Sequence, residues 1–150
     1  MIKTRNVKKQ EVFTLKNKGR IDAVRPIHIA EELSWNYGDD VVVYDVRNNT
    51  PFVSYYIVAS ASNDHRLRAL VETSKEALYA NYKDLKHTEG KNESKWVLLD
   101  AGDVVIQLFT KEERKRVAFD ELYQNVPHKI VKAEEEPNYR KRKKETKEAL

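Results

Sequence analysis

The chain has 150 residues, 40% of them hydrophobic and 35% charged, with a formal net charge of +4, which fits one ordinary domain with a single core. Without cysteine it excludes a disulfide framework, a thiolate zinc site and a cysteine nucleophile, and its four dispersed glycines (Gly19, Gly38, Gly90 and Gly102) exclude a P-loop or dinucleotide fingerprint. No apolar run approaches the roughly 18 residues of a membrane span, and the N-terminus lacks a signal-peptide stretch, so the expectation is a soluble, cytoplasmic protein with no membrane association and no cofactor.

Residues 1–20 carry seven Lys/Arg and one acid, and 1–25 reads as a basic N-terminal extension. Pro26 suits the first turn of a helix, with Ile27, Ala30 and Leu33 following at helical spacing and Gly38 ending it. Asp40–Val46 (DVVVYDV) is a β-branched run suited to a buried strand. Arg47–Pro51 is turn chemistry, and Phe52–Ala59 is a second apolar strand. Ser62 or Asn63 caps an amphipathic helix carrying Leu67, Leu70, Val71, Ser74, Leu78 and Tyr82.

A short strand near Leu85–Thr88 precedes a polar loop over Glu89–Ser94. Lys95–Asp100 and Val104–Phe109 then read as a hairpin closed by Ala101-Gly102-Asp103. Thr110 to Glu113 is a capping box that opens a helix running to about Tyr123. Pro127 marks the exit, and 128–150 reads as a charged tail. Its residues Tyr139 to Lys144 place five cations beside one aromatic. The ends thus hold the positive charge, while 21–136, with 15 basic and 21 acidic residues, stands at −6. Basic arms attract a polyanion such as RNA; an acidic body favours a basic partner face.

This order predicts an α/β fold, a small mixed sheet of about five strands covered by helices. The hairpin has two unlike sides. Val97, Leu99, Val104, Ile106 and Leu108 are all aliphatic and belong to the core. Trp96, Leu98, Asp100, Val105, Gln107 and Phe109 form either a contact surface or a second core under a helix. Asp100 and Asp103, beside a tight turn, either pair with a partner or cap backbone groups. Asp39, Asp40 and Asp45 are available for metal-assisted nucleotidyl transfer, but the Gly-Ser turn and Asp-x-Asp pair of that chemistry are missing. The four histidines lack metal-ligand spacing. No enzyme and no metal site is expected.

The segments GDDVVVYDV (Gly38–Val46), SYYIVASASNDH (Ser54–His65), TEGKNESKWVLLDAGDVVIQLF (Thr88–Phe109) and TKEERKRVAFDELY (Thr110–Tyr123) resemble the Iojap family of bacterial and organellar ribosomal silencing factors. The resemblance runs from about Ile27 to Pro127 and places the family domain at 26–127. Its most specific part is the ordered set Glu89, Gly90, Trp96, Leu98, Asp100, Gly102, Asp103 and Val104.

It implies a nucleotidyltransferase-like shape without that activity, and a homodimer when free. It also implies binding to the large ribosomal subunit through the ribosomal protein numbered fourteen, at the intersubunit face. The small subunit is thereby kept from joining and translation is repressed; the alternative is a role in large-subunit assembly, or an RNA-binding module using the basic tails. Partner contacts would fall to Trp96, Leu98, Asp100, Asp103, Glu89, Tyr55, Tyr56 and Gln107, with auxiliary contact to ribosomal RNA by Arg140, Lys141, Arg142, Lys143 and Lys144. The chain departs from the family pattern at Ser54, in the Ala59-Ser60-Ala61 turn, at Gln107 where His is usual, and at Tyr123.

Overall fold

The computed structural model describes residues 21–90 and 93–137. Helix α1 (Ile21–Trp35) begins five residues before Pro26, so the proline lies inside it rather than in its first turn. At its end the Gly38 N–H donates to the Leu33 carbonyl at 2.7 Å. Tyr37, not the glycine, takes the left-handed conformation (φ 72°). Gly38 is required for a different reason: a Cβ there would meet the Leu33 oxygen at 2.5 Å.

Strands β1 (Asp39–Asp45) and β2 (Tyr55–Ala61) follow. Their turn keeps Phe52 out of the sheet and almost fully exposed, so the second strand starts later than its apolar run suggests. Helix α2 (Asp64–Ala80) is capped by Asn63, whose side chain accepts from the Arg66 N–H at 2.8 Å. Leu67, Leu70, Ser74, Ala77 and Leu78 form its buried stripe. Asn63→Ala is expected to lower global stability by about 1 kcal/mol, read as a shifted urea midpoint with an unchanged slope.

Strands β3 (His87–Glu89), β4 (Trp96–Asp100) and β5 (Val104–Thr110) come next. Helices α3 (Lys111–Val117) and α4 (Phe119–Leu122) precede β6 (His128–Ile130). The six strands lie in the order β3-β4-β5-β2-β1-β6. Only β2 and β5 are parallel; the other neighbours are antiparallel. The sheet is therefore mixed, with one strand more than expected. The extra strand, β6, pairs with β1 just past Pro127, where the chain was expected to leave the fold. Its three residues carry no alternation that sequence alone could register.

Helices α1 and α2 cover one face. There Ile29, Leu33, Leu67, Leu70 and Leu78 pack on Val43, Ile57, Leu99, Ile106 and Leu108. The aliphatic side of the hairpin thus faces the main core. The opposite face holds a smaller cluster of Val42, Tyr44, Val58, Phe109, Phe119 and Val126. Thr110 caps α3 by accepting from the Glu113 N–H at 3.3 Å. The expected single helix breaks at Ala118, which adopts φ 50°. That left-handed step turns Phe119 onto the sheet, buried and stacked on Tyr123 at 4.7 Å.

Candidate protein-binding face

The second sheet face is only partly covered. Strand register sets side chains in rows across it: Glu89, Leu98 and Gln107 in one, His87, Asp100 and Val105 in the next, and Trp96 with Phe109 in a third. Helices α3 and α4 pack over the β5-β2-β1 side, while among the described residues no helix covers the β3-β4 side. One half of this face is therefore a second core under helices, and the other half is open to solvent. Phe109 is fully buried, whereas Trp96 remains 39% exposed.

Trp96 is held in two directions. Its ring stacks on Phe109 at 4.8 Å, and its indole N–H donates to the Gln107 side-chain oxygen at 3.1 Å. Phe109 in turn meets Phe119 in a tilted contact with ring centroids 5.5 Å apart, so the partly exposed indole rests on a continuous aromatic cluster. Rigid, partly exposed aromatics of this kind make effective binding anchors because little side-chain freedom remains to be lost. Beside it, Leu98 is half-buried and Glu89 is exposed. Gly90 adopts φ 101°, and a Cβ there would meet the Trp96 carbonyl at 2.8 Å. The glycine lets the backbone at the end of β3 lie against that of Trp96.

The remaining expected contacts divide. Tyr56 is half-buried on the same face, near Tyr123 and Phe119; burial, then Tyr123, push its hydroxyl above the ordinary value. Tyr55 is corrected: it is fully buried in the main core. Adjacent strand residues point to opposite faces, so Tyr55 and Tyr56 cannot both meet a partner. Gln107, 5% exposed, presents itself chiefly through Trp96. Asp100 accepts from the Gly102 N–H at 2.8 Å and thus caps the hairpin turn. Asp103 pairs with Lys83 at 2.9 Å, and its carbonyl accepts from the Ser54 and Tyr55 N–H groups. Glu89 lies 3.2 Å from the His87 ring. The cationic run 140–144 lies outside the described residues.

An unanticipated polar lock holds the cap in place. The buried Arg114 guanidinium forks onto Asp120 at 2.8 and 3.0 Å. It also donates to the Asp40 carbonyl and the Ser60 hydroxyl, at 2.7 and 2.9 Å. The Tyr44 hydroxyl donates to the same carboxylate at 2.5 Å. Burial, then that bond, push the Tyr44 hydroxyl far above its ordinary value. For Asp120, burial acts upward, but the hydrogen bonds from Arg114 and Tyr44 outweigh it and hold the carboxyl below its ordinary value. Nothing in the heptapeptide KEERKRV marks Arg114 as the inward cation, because neighbouring Lys115 and Arg116 have the same composition signal.

The acids considered for nucleotidyl transfer do not converge. Asp45 is buried and forks onto Arg47 at 2.8 Å, while Asp39 pairs with Lys111 at 3.2 Å. Among the described residues no group of three His, Cys, Asp or Glu is placed to hold a metal, and no helix is long and apolar enough to cross a membrane.

Fold and site together define a small mixed α/β domain that offers a half-open sheet face. Residues 22–150 match the family "Ribosomal silencing factor during starvation", and the chain belongs to it. Ribosomal silencing factor RsfS of Bacillus subtilis is 28% identical over 89 residues, covering 59% of this chain and 75% of that one. The RsfS of Chromobacterium violaceum is 28% identical over 86 residues, covering 57% and 70%. A crystal structure from Chromobacterium violaceum superposes with a TM-score of 0.62 at 25% identity, covering 79% of this chain and 96% of that one. One from Bacillus halodurans gives 0.59 at 20% identity, covering 69% and 94%, and shares the fold.

Proposed function

We propose that this chain represses translation in the cytoplasm by docking, through the open half of its sheet, on ribosomal protein fourteen of the large subunit. Standing at the intersubunit face, it blocks joining of the small subunit. The observation that carries this reading is Trp96, half-exposed yet held by Phe109 and Gln107. The excess of acid over base across 21–136 suits a basic ribosomal-protein surface. Blocking requires occupancy and volume, and no group need act chemically. The free protein is read as a homodimer, and the same surface would serve a role in large-subunit assembly.

Light scattering of subunit joining tests the proposal. Preincubating the large subunit with the protein should suppress joining; preincubating the small subunit should not. Binding without suppression would favour the assembly role, and no binding would remove the ribosomal reading.

The charge of the C-terminal segment favours an auxiliary contact with ribosomal RNA, since 138–150 holds six Lys/Arg against two acids. Deleting 137–150 is expected to flatten the salt dependence of ribosome binding, because fewer counterions are released. An unchanged slope in binding titrations across salt concentrations would eliminate that contact.

A further inference from the structure

We propose that Gln107 is a specificity-determining residue: its amide oxygen holds Trp96, and its amide N–H groups serve a neutral carbonyl oxygen of the bound partner. The inference deepens the docking reading above and rests on it.

The orientation of the amide follows from hydrogen-bonding capacity. An indole N–H can only donate. It lies 3.1 Å from the Gln107 side chain, so the atom facing it must be the oxygen and the nitrogen must point elsewhere. Among the described residues that nitrogen has no hydrogen-bond partner, yet it is not among the sealed, unsatisfied atoms. Gln107 as a whole is 5% exposed, so in the free protein this nitrogen keeps only a narrow contact with solvent. A partner laid over Trp96 removes the solvent, and an amide N–H covered without an acceptor is costly.

The surroundings select the acceptor. Register puts Gln107 in the row of Glu89 and Leu98, with Asp100 in the next row. Two carboxylates nearby disfavour a third, so the fitting group is a main-chain carbonyl or an amide oxygen. An apolar group at that point would strand the donors, and a site built to satisfy a hydrogen bond discriminates strongly against partners that lack it.

A double-mutant cycle separates this role from simple support of Trp96. Binding to purified large ribosomal subunits is measured for wild type, Gln107→Met, Trp96→Phe and the double variant. Trp96→Phe removes the indole N–H but keeps a ring over Phe109. If Gln107 also donates to the partner, adding Gln107→Met to Trp96→Phe still weakens binding about fivefold. A further loss within twofold would overturn the inference, because the amide would then act only on Trp96.

Should Trp96→Phe bind too weakly to measure, two variants in the native background decide. Neutral histidine carries one acceptor and one donor, so Gln107→His should bind within about threefold of wild type. Gln107→Glu keeps the acceptor for Trp96 and loses the donors, so it should bind about tenfold more weakly. Equal binding by Gln107→Glu would overturn the inference. Failure of the wild type itself to bind would instead overturn the docking reading.

Discussion

Trp96→Ala is expected to weaken binding to the large subunit about thirtyfold and to abolish suppression of subunit joining at limiting protein. Truncating a central aromatic anchor costs about 2 kcal/mol or more, which corresponds to that factor. The ring covers Phe109 and gives the Gln107 oxygen its donor, so its removal also strips two neighbours. Because Trp96 is 39% exposed in the free protein, the fold should lose far less than the interface. Titrating the variant in the light-scattering assay, with circular dichroism as the control for folding, checks the prediction. A folded variant that suppresses joining as well as wild type would move the interface away from β4.

Arg114→Ala is expected to destabilise the fold by about 3 kcal/mol. Arg114 is the buried member of its ion pair, and removing it strands the groups it served. Here these are the Asp120 carboxylate, the Asp40 carbonyl and the Ser60 hydroxyl. In a chain of this size the melting temperature should fall by about 10 °C. Only half the lock is acid-sensitive. Asp120 is held below its ordinary value of 3.8, so its contribution is present above that value and is lost as pH falls through the folded-state pKa. The gap in stability between wild type and Asp120→Asn should therefore close as pH drops below about 4. Its carboxylate is half exposed, so solvent limits the size of the effect. A gap that persists unchanged in acid would mean that Asp120 contributes by shape alone.

The two predictions are linked through the aromatic stack. Tyr44 and Arg114 hold Asp120, the residue next to Phe119, and Phe119 supports Phe109 beneath Trp96. The position of Trp96 on the open half of the sheet thus depends on packing in the covered half. Arg114→Ala should consequently loosen Trp96 as well, visible as a change in its emission before any unfolding.

Sequence by itself determined the parts governed by local chemistry. The β-branched run of β1, the stripe of α2, a cap at Ser62 or Asn63, the Thr110 cap and the hairpin turn all follow from propensity and spacing, which act over a few residues. Alternation along β4 and β5 separated the aliphatic side from the side of Trp96, and the ordered set from Glu89 to Val104 pointed to the family. Tertiary structure alone decided which half of the second face is covered. Whether Trp96 is buried or stays partly exposed depends on where α3 and α4 stop, and that is set by the left-handed step at Ala118 and the lock among Arg114, Asp120 and Tyr44. Those partners come from positions up to 76 residues apart, beyond the reach of any local pattern. The same limit hid β6, which is a strand because β1 leaves an edge for it, and it hid that Tyr55 enters the main core while Tyr56 packs half-buried against the cluster under α3 and α4. Period-two alternation says that two neighbours differ; only the layers packed on the sheet say which of them meets solvent.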